Sequence, residues 1–137
     1  MSTPLVRWSP QLLSVMRIMA ALLFMEHGTM KLFDFPGPAP SGLGHGLLLF
    51  TGILETFGGA ALALGLFTRL VAFLLSGEMA VAYWMFHGPS NFYPIANMGE
   101  ASVLYCFVFL YIAAAGPGAW SIDGLIGSGA AEKTARV

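Results

Sequence analysis

Long apolar stretches broken by Pro- and Gly-rich segments set the layout of this chain. A helix that crosses a bilayer needs about 20 predominantly apolar residues. Four windows meet that requirement, at residues 10–33, 46–67, 69–87 and 97–115. Segments 34–46 (DFPGPAPSGLGHG) and 88–96 (GPSNFYPIA) read as loops from their Pro and Gly content. Only the corner Gly65-Leu66-Phe67-Thr68 separates the second window from the third, which predicts antiparallel neighbours. Past the stop Gly116-Pro117-Gly118 the chain turns small and polar, and residues 116–137 are expected to form a poorly ordered tail. Arg17 interrupts the first window where a cleaved signal would carry its unbroken apolar core, so that window is read as a retained helix. The expected fold is all-α: a single polytopic membrane domain over residues 1–137, built as a bundle of four transmembrane helices.

Composition supports a membrane setting. Hydrophobic residue types make up 57% of the chain, charged residues 9%, and the mean hydropathy is +0.76; a soluble domain carries about 25% charged residues. A net charge of −1 with six basic residues leaves no footprint for a phosphate backbone, which excludes nucleic acid as a partner. The single cysteine, Cys106, excludes any mechanism that needs a cysteine pair within one chain. Arg7, Arg69, Lys133 and Arg136 fall at one end of the four-span layout and only Lys31 at the other. The charge rule for loops then puts both termini in the cytoplasm and the chain in the cytoplasmic membrane as a multi-pass protein.

Ionisable groups sit where they are costly. Arg17, Glu26, Lys31, Glu55, Glu78 and Glu100 lie within or at the ends of the windows, one glutamate at least in each, with His27 and His87 beside them. A charge at the centre of a membrane helix costs about 2.5–3.5 kcal/mol on insertion scales, so such groups face one another or a wet cavity. Depth from the helical rise sets Glu26, Glu55 and Glu100 in the outer half, Glu78 nearer the middle, Arg17 in the inner half and Lys31 near the outer end. Helical phase puts Arg17 and Lys31 on one face and Glu26 on the opposite one. In the second window Thr51, Gly52, Glu55, Gly58, Gly59 and Leu62 recur at helical spacing, so Glu55 is expected to face a closely packed neighbour helix. No Glu-x-x-His occurs, which argues against a carboxylate-bridged metal pair, and no metal site is assigned. Two mechanisms suit the remaining groups. One seats a lipid-soluble ligand such as a quinone against proton-exchanging Glu or His and orienting Arg or Lys side chains; the other is proton- or cation-coupled transport through a desolvated glutamate.

The residues resemble the DoxX-like integral membrane proteins over nearly the whole chain. The likeness rests on Arg17, His27-Gly28-x-x-Lys31, Glu55-x-x-Gly58-Gly59, Gly65-x-x-Thr68-Arg69 and Met79-x-x-Ala82, followed by Asn97-x-Gly99-Glu100 and Gly116-Pro117-Gly118-x-x-Ser121-x-Asp123. The resemblance implies a four-helix bundle in a bacterial or archaeal membrane and work as a membrane subunit of a redox system that handles quinone or sulfur and thiol species. No cofactor is assigned; quinone is the candidate, with nothing bound covalently. Beyond the lipid bilayer, a redox partner subunit and further copies of the chain are the expected neighbours. Glu26, His27, Lys31, Glu55 and Glu100 are the candidate ligand- or proton-handling residues, with Arg17, Glu78 and Asn97 in support. A small proton-coupled transporter and a non-catalytic adaptor for a soluble partner are the competing functions.

Overall fold

The computed structural model describes residues 5–134, with side chains to residue 128. It is an all-helical membrane bundle. A 3-10 turn, Val6–Trp8, leads into α1 (Ser9–Phe33), where Pro10 occupies the first turn and so removes no helical hydrogen bond. Next come α2 (His45–Leu64) and α3 (Thr68–Ala82), the latter continuing as a π-turn over Tyr83–His87. A single turn, α4 (Pro94–Asn97), precedes α5 (Glu100–Ala115), and α6 (Ile122–Thr134) follows a short loop. The helices over Val6–Phe33, His45–Leu64 and Thr68–His87 are each long and apolar enough to cross a bilayer, and α5 is a shorter apolar helix.

The element ends follow local chemistry. Gly65 closes α2 in the left-handed region, at φ 69°. Its N–H bonds Leu62 O at 3.1 Å and that of Leu66 bonds Ala61 O at 2.9 Å, a Schellman closure that stops the helix three residues before the apolar run ends. The fourth window starts late as helix because Met98, at φ 57°, breaks the chain between α4 and α5.

The bundle is two helix pairs, α1 on α2 and α3 on α5, joined through α2–α3 and α1–α5 contacts. Phe24, Leu62, Leu75, Phe109 and Ile112 fill the shared centre, with Phe24 and Phe109 edge to face at 4.9 Å. Large apolar side chains such as Leu22, Phe57, Phe73 and Phe107 point outward, as a lipid-facing surface requires. Within the α1–α2 pair, glycines let the backbones meet. A Cβ on Gly28 would stand 2.6 Å from Thr56 N, and one on Gly52 would stand 2.8 Å from Leu32 Cδ2.

At the end holding the α2–α3 corner, the stretch expected as the start of a loose tail is tied into the fold. Arg17, fully buried, donates Nε to Pro117 O at 2.8 Å, NH1 to Leu62 O and to Ala63 O at 2.7 Å, and NH2 to Trp120 O. Trp120 N donates to Ser14 Oγ at 3.0 Å, and Ala119 N to Pro10 O at 3.0 Å. The Asp123 carboxylate accepts the N–H groups of Phe67 and Thr68, both at 2.8 Å, and so caps α3 from a distant part of the chain. Arg69 donates to Ala113 O at 2.9 Å and Ala114 O at 2.6 Å at the end of α5. Residues 116–123 are therefore ordered by side chains from α1 and α3, and helix rather than loose chain follows; residues 135–137 of the expected tail, Arg136 among them, lie outside the described residues.

Two outcomes follow. Gly28→Ala forces α1 and α2 apart and lowers stability by about 1–3 kcal/mol, the range for overpacked contacts, as read by thermal unfolding in mild detergent. For Asp123, loss of water works to raise its carboxyl, but the hydrogen bonds from Thr68 and Phe67 and the charge of Arg17 outweigh this and hold it below its ordinary 3.8. A depressed carboxyl stabilises the fold above that ordinary value and ceases to as pH falls through its lowered one. Asp123→Ala thus costs about 0.5–2 kcal/mol at neutral pH, in the range for a lost helix cap, and the gap from the native protein narrows in acid.

Candidate functional site

The close α1–α2 contact positions the first pair of charges. Lys31 rides on α1 beside Gly52, where its Cβ would lie 3.1 Å from any Cβ added to that glycine. From there its stem reaches inward along α2, and Nζ meets Glu55 Oε1 at 2.6 Å. The Glu55 side chain is 2% exposed and that of Lys31 13%, so this ion pair is taken out of solvent by the helices themselves. Pairing is what makes such burial tolerable, since either charge alone would be strongly destabilising.

Glu78 joins from α3. It follows Thr68 by ten residues, just as Glu55 precedes Gly65 by ten, so the two carboxyls of this antiparallel hairpin stand level, about 15 Å from the corner. Glu78 lies within the electrostatic reach of both Glu55 and Lys31. Both of its oxygens are buried without a hydrogen-bond partner, and so is Glu55 Oε2. Lys31 thus bonds Glu55, and Glu78 is a second, unpartnered carboxyl in the same apolar bundle. Among the described residues, no three His, Cys, Asp or Glu side chains gather closely enough to hold a metal ion.

The remaining candidates scatter. His27 turns toward α5, its ring 6.0 Å from that of Tyr105 and perpendicular to it. Glu26 is exposed on the outside of α1, and Glu100 is exposed in the first turn of α5, where its charge complements the positive end of the helix. The expected convergence of Glu26, Glu55 and Glu100 is therefore not what the bundle builds: depth alone places them together, but only Glu55 has the inward phase. Arg17 and Lys31 both lie against α2, as their shared face predicts, at opposite ends of it. Asn97 is buried within the segment between α3 and α5. Its Nδ2 donates to Asn91 O at 2.7 Å and Tyr83 OH at 3.3 Å, and its Oδ1 accepts Gly99 N at 2.7 Å. Counting outward from the corner in the sequence already gives the level of Glu78 with Glu55.

Comparison with known proteins agrees with this architecture. The DoxX family model matches residues 12–88, a stretch that contains Arg17, Lys31, Glu55 and Glu78. The chain belongs to the DoxX family. This DoxX protein is 44% identical over 125 residues to an uncharacterised protein of Haemophilus influenzae, covering 87% of the chain and 93% of the relative. It is 32% identical over 118 residues to the inner membrane protein YqjF of Escherichia coli, covering 82% of the chain and 89% of the relative. No solved structure matches it.

The ion pair gives a double-mutant test. Lys31→Met leaves Glu55 buried without its counter-charge and lowers stability by about 3–5 kcal/mol. Adding Glu55→Leu removes the stranded carboxyl and restores most of the loss, read as the midpoint of thermal unfolding in the same detergent.

Proposed function

We propose that this DoxX protein is a membrane subunit of a quinone- or sulfur/thiol-linked redox system, in which the Lys31–Glu55–Glu78 cluster exchanges protons with a lipid-soluble ligand. The observation that carries the reading is the buried 2.6 Å ion pair beside a carboxyl with both oxygens unpartnered. An apolar interior does not hold a second free carboxylate against one ammonium, so the cluster takes up one exchangeable positive charge, and a proton is the simplest. Reduction of a quinone to its quinol consumes two electrons and two protons. A partner subunit supplies the electrons, and Glu78, with no competing hydrogen bond, is the group placed to pass protons on.

The protein sits in the cytoplasmic membrane with both termini inside. Arg7 and Arg69, at the end opposite Lys31, support that orientation, and the likeness to an inner membrane protein of Escherichia coli supports the membrane. The same charge count favours one second reading, a small transporter in which Glu78 alternates between a proton and a cationic substrate.

The test is purification in gentle detergent with native mass spectrometry of everything retained, followed by proton uptake on quinone reduction in proteoliposomes. A retained quinone or oxidoreductase is expected, with uptake about a hundredfold slower in Glu78→Gln, within the range for a lost acid–base group. Retention of lipid alone, with Glu78-dependent cation flux driven by a pH gradient, would replace the redox reading with transport.

A further inference from the structure

The end of the bundle opposite Arg17 carries a second ordered cluster that the proton-handling site does not use. Residues 83–99 join α3 to α5 and contain no Asp, Glu, Lys or Arg. The segment is organised from within. Tyr83 OH donates to Phe92 O, and His87 Nδ1 lies 3.0 Å from Asn97 O. The Asn97 amide ties residues 83, 91 and 99 together, while Tyr93 N is held by Asn91 Oδ1 at 2.9 Å. Gly88 N closes on Tyr83 O at 2.8 Å, and Ala96 N on Tyr93 O at 2.9 Å.

The outward face is the reverse. Ile95 is 80% exposed and Met98 87%, and Trp84, Phe92 and Tyr93 stand out beside them. A loop built for water turns polar side chains outward; this one buries Tyr83 and Asn97, half-buries His87, leaves only the short pair Ser90 and Asn91 exposed with their side chains bonded to the loop's own backbone, and presents large apolar residues around them. That inversion matches the rule for irregular backbone at a membrane, which is tolerated where its polar groups are satisfied by the protein itself. The helix that follows needs such a partner. At 16 residues α5 spans about 24 Å, short of a hydrocarbon core of about 30 Å.

We infer that residues 83–99 form an interfacial plug seated in the headgroup and upper acyl layer of the bilayer, its surface partner being lipid. Trp84 and Tyr93 take the amphipathic positions that aromatic rings favour at that depth, and Ile95 and Met98 reach toward the chains. The plug makes up the length that α5 lacks, and His87 and Asn97 hold its shape from inside.

Single-cysteine proteins in lipid nanodiscs, with Cys106→Ala throughout and both faces open to solution, test this with a charged maleimide. Ser41→Cys, in the exposed 34–44 loop, gives the aqueous rate, and Phe57→Cys, on the outer face of α2, the lipid rate. Ile95→Cys is expected to react at least tenfold more slowly than Ser41→Cys and close to Phe57→Cys; a rate equal to that of Ser41→Cys would overturn the inference. A second measurement needs no change in the plug. With Trp8→Phe and Trp120→Phe, Trp84 fluorescence is expected to be quenched by lipids brominated near the headgroup and not by aqueous iodide. Quenching by iodide without any effect of brominated lipid would also overturn it.

Discussion

The Arg17 guanidinium is the interaction on which the bundle is closed. In a bilayer the last carbonyls of a helix have no water to turn to, and the tight left-handed corner that ends α2 brings its own N–H groups only to Ala61 O and Leu62 O. Arg17 reaches across from α1 to take Leu62 O and Ala63 O, then spends its other donors on Pro117 O and Trp120 O. Five fixed N–H groups in one plane suit that task, which a lysine ammonium on a single point could not cover. Asp123 and Arg69 extend the principle to the start of α3 and the end of α5. Three side chains thus satisfy backbone groups at the ends of three helices, and leave the middle of the bundle free for a different kind of polarity.

That middle polarity is side chain to side chain. The Lys31–Glu55 pair is held between helices whose backbones nearly touch at Gly28 and Gly52, so its geometry is set by packing that neither charge controls. Glu78 arrives from the other helix pair, across the α2–α3 contact. A change in how the two pairs sit against one another would therefore alter the distance between the carboxyls while leaving the ion pair intact. The ion pair thus lies within one helix pair and the third ionisable group on the other.

Much of this is legible in the sequence, and the exceptions have physical causes. The four apolar windows follow from the length a bilayer demands, and their errors trace to single left-handed residues, Gly65 and Met98, whose φ values a hydropathy pattern does not carry. The order of residues 116–123 is invisible locally because its hydrogen bonds come from Arg17 and Ser14, about a hundred residues earlier. Glu26 illustrates the limit of depth as a guide: its level is right, but its phase, already opposed to that of Lys31, keeps it off the pair. Asn97 is legible as a motif residue, whereas its place at the centre of a hydrogen-bonded loop depends on partners at Tyr83, Asn91 and Gly99 that no spacing rule connects.

The placement of the Arg17 acceptors has a consequence for how the protein is made. Chains enter the membrane from the N-terminus, and α1 and α2 are both in place long before residues 117–120 leave the ribosome. Until then the guanidinium has the α2 carbonyls but not Pro117 O or Trp120 O, and the young hairpin carries a half-satisfied charge in lipid. Emergence of residues 117–120 completes the set. Sealing of the first two helices therefore waits for residues about fifty positions beyond them, so a chain cut short before Pro117 leaves an intramembrane arginine with two of its four carbonyl partners missing.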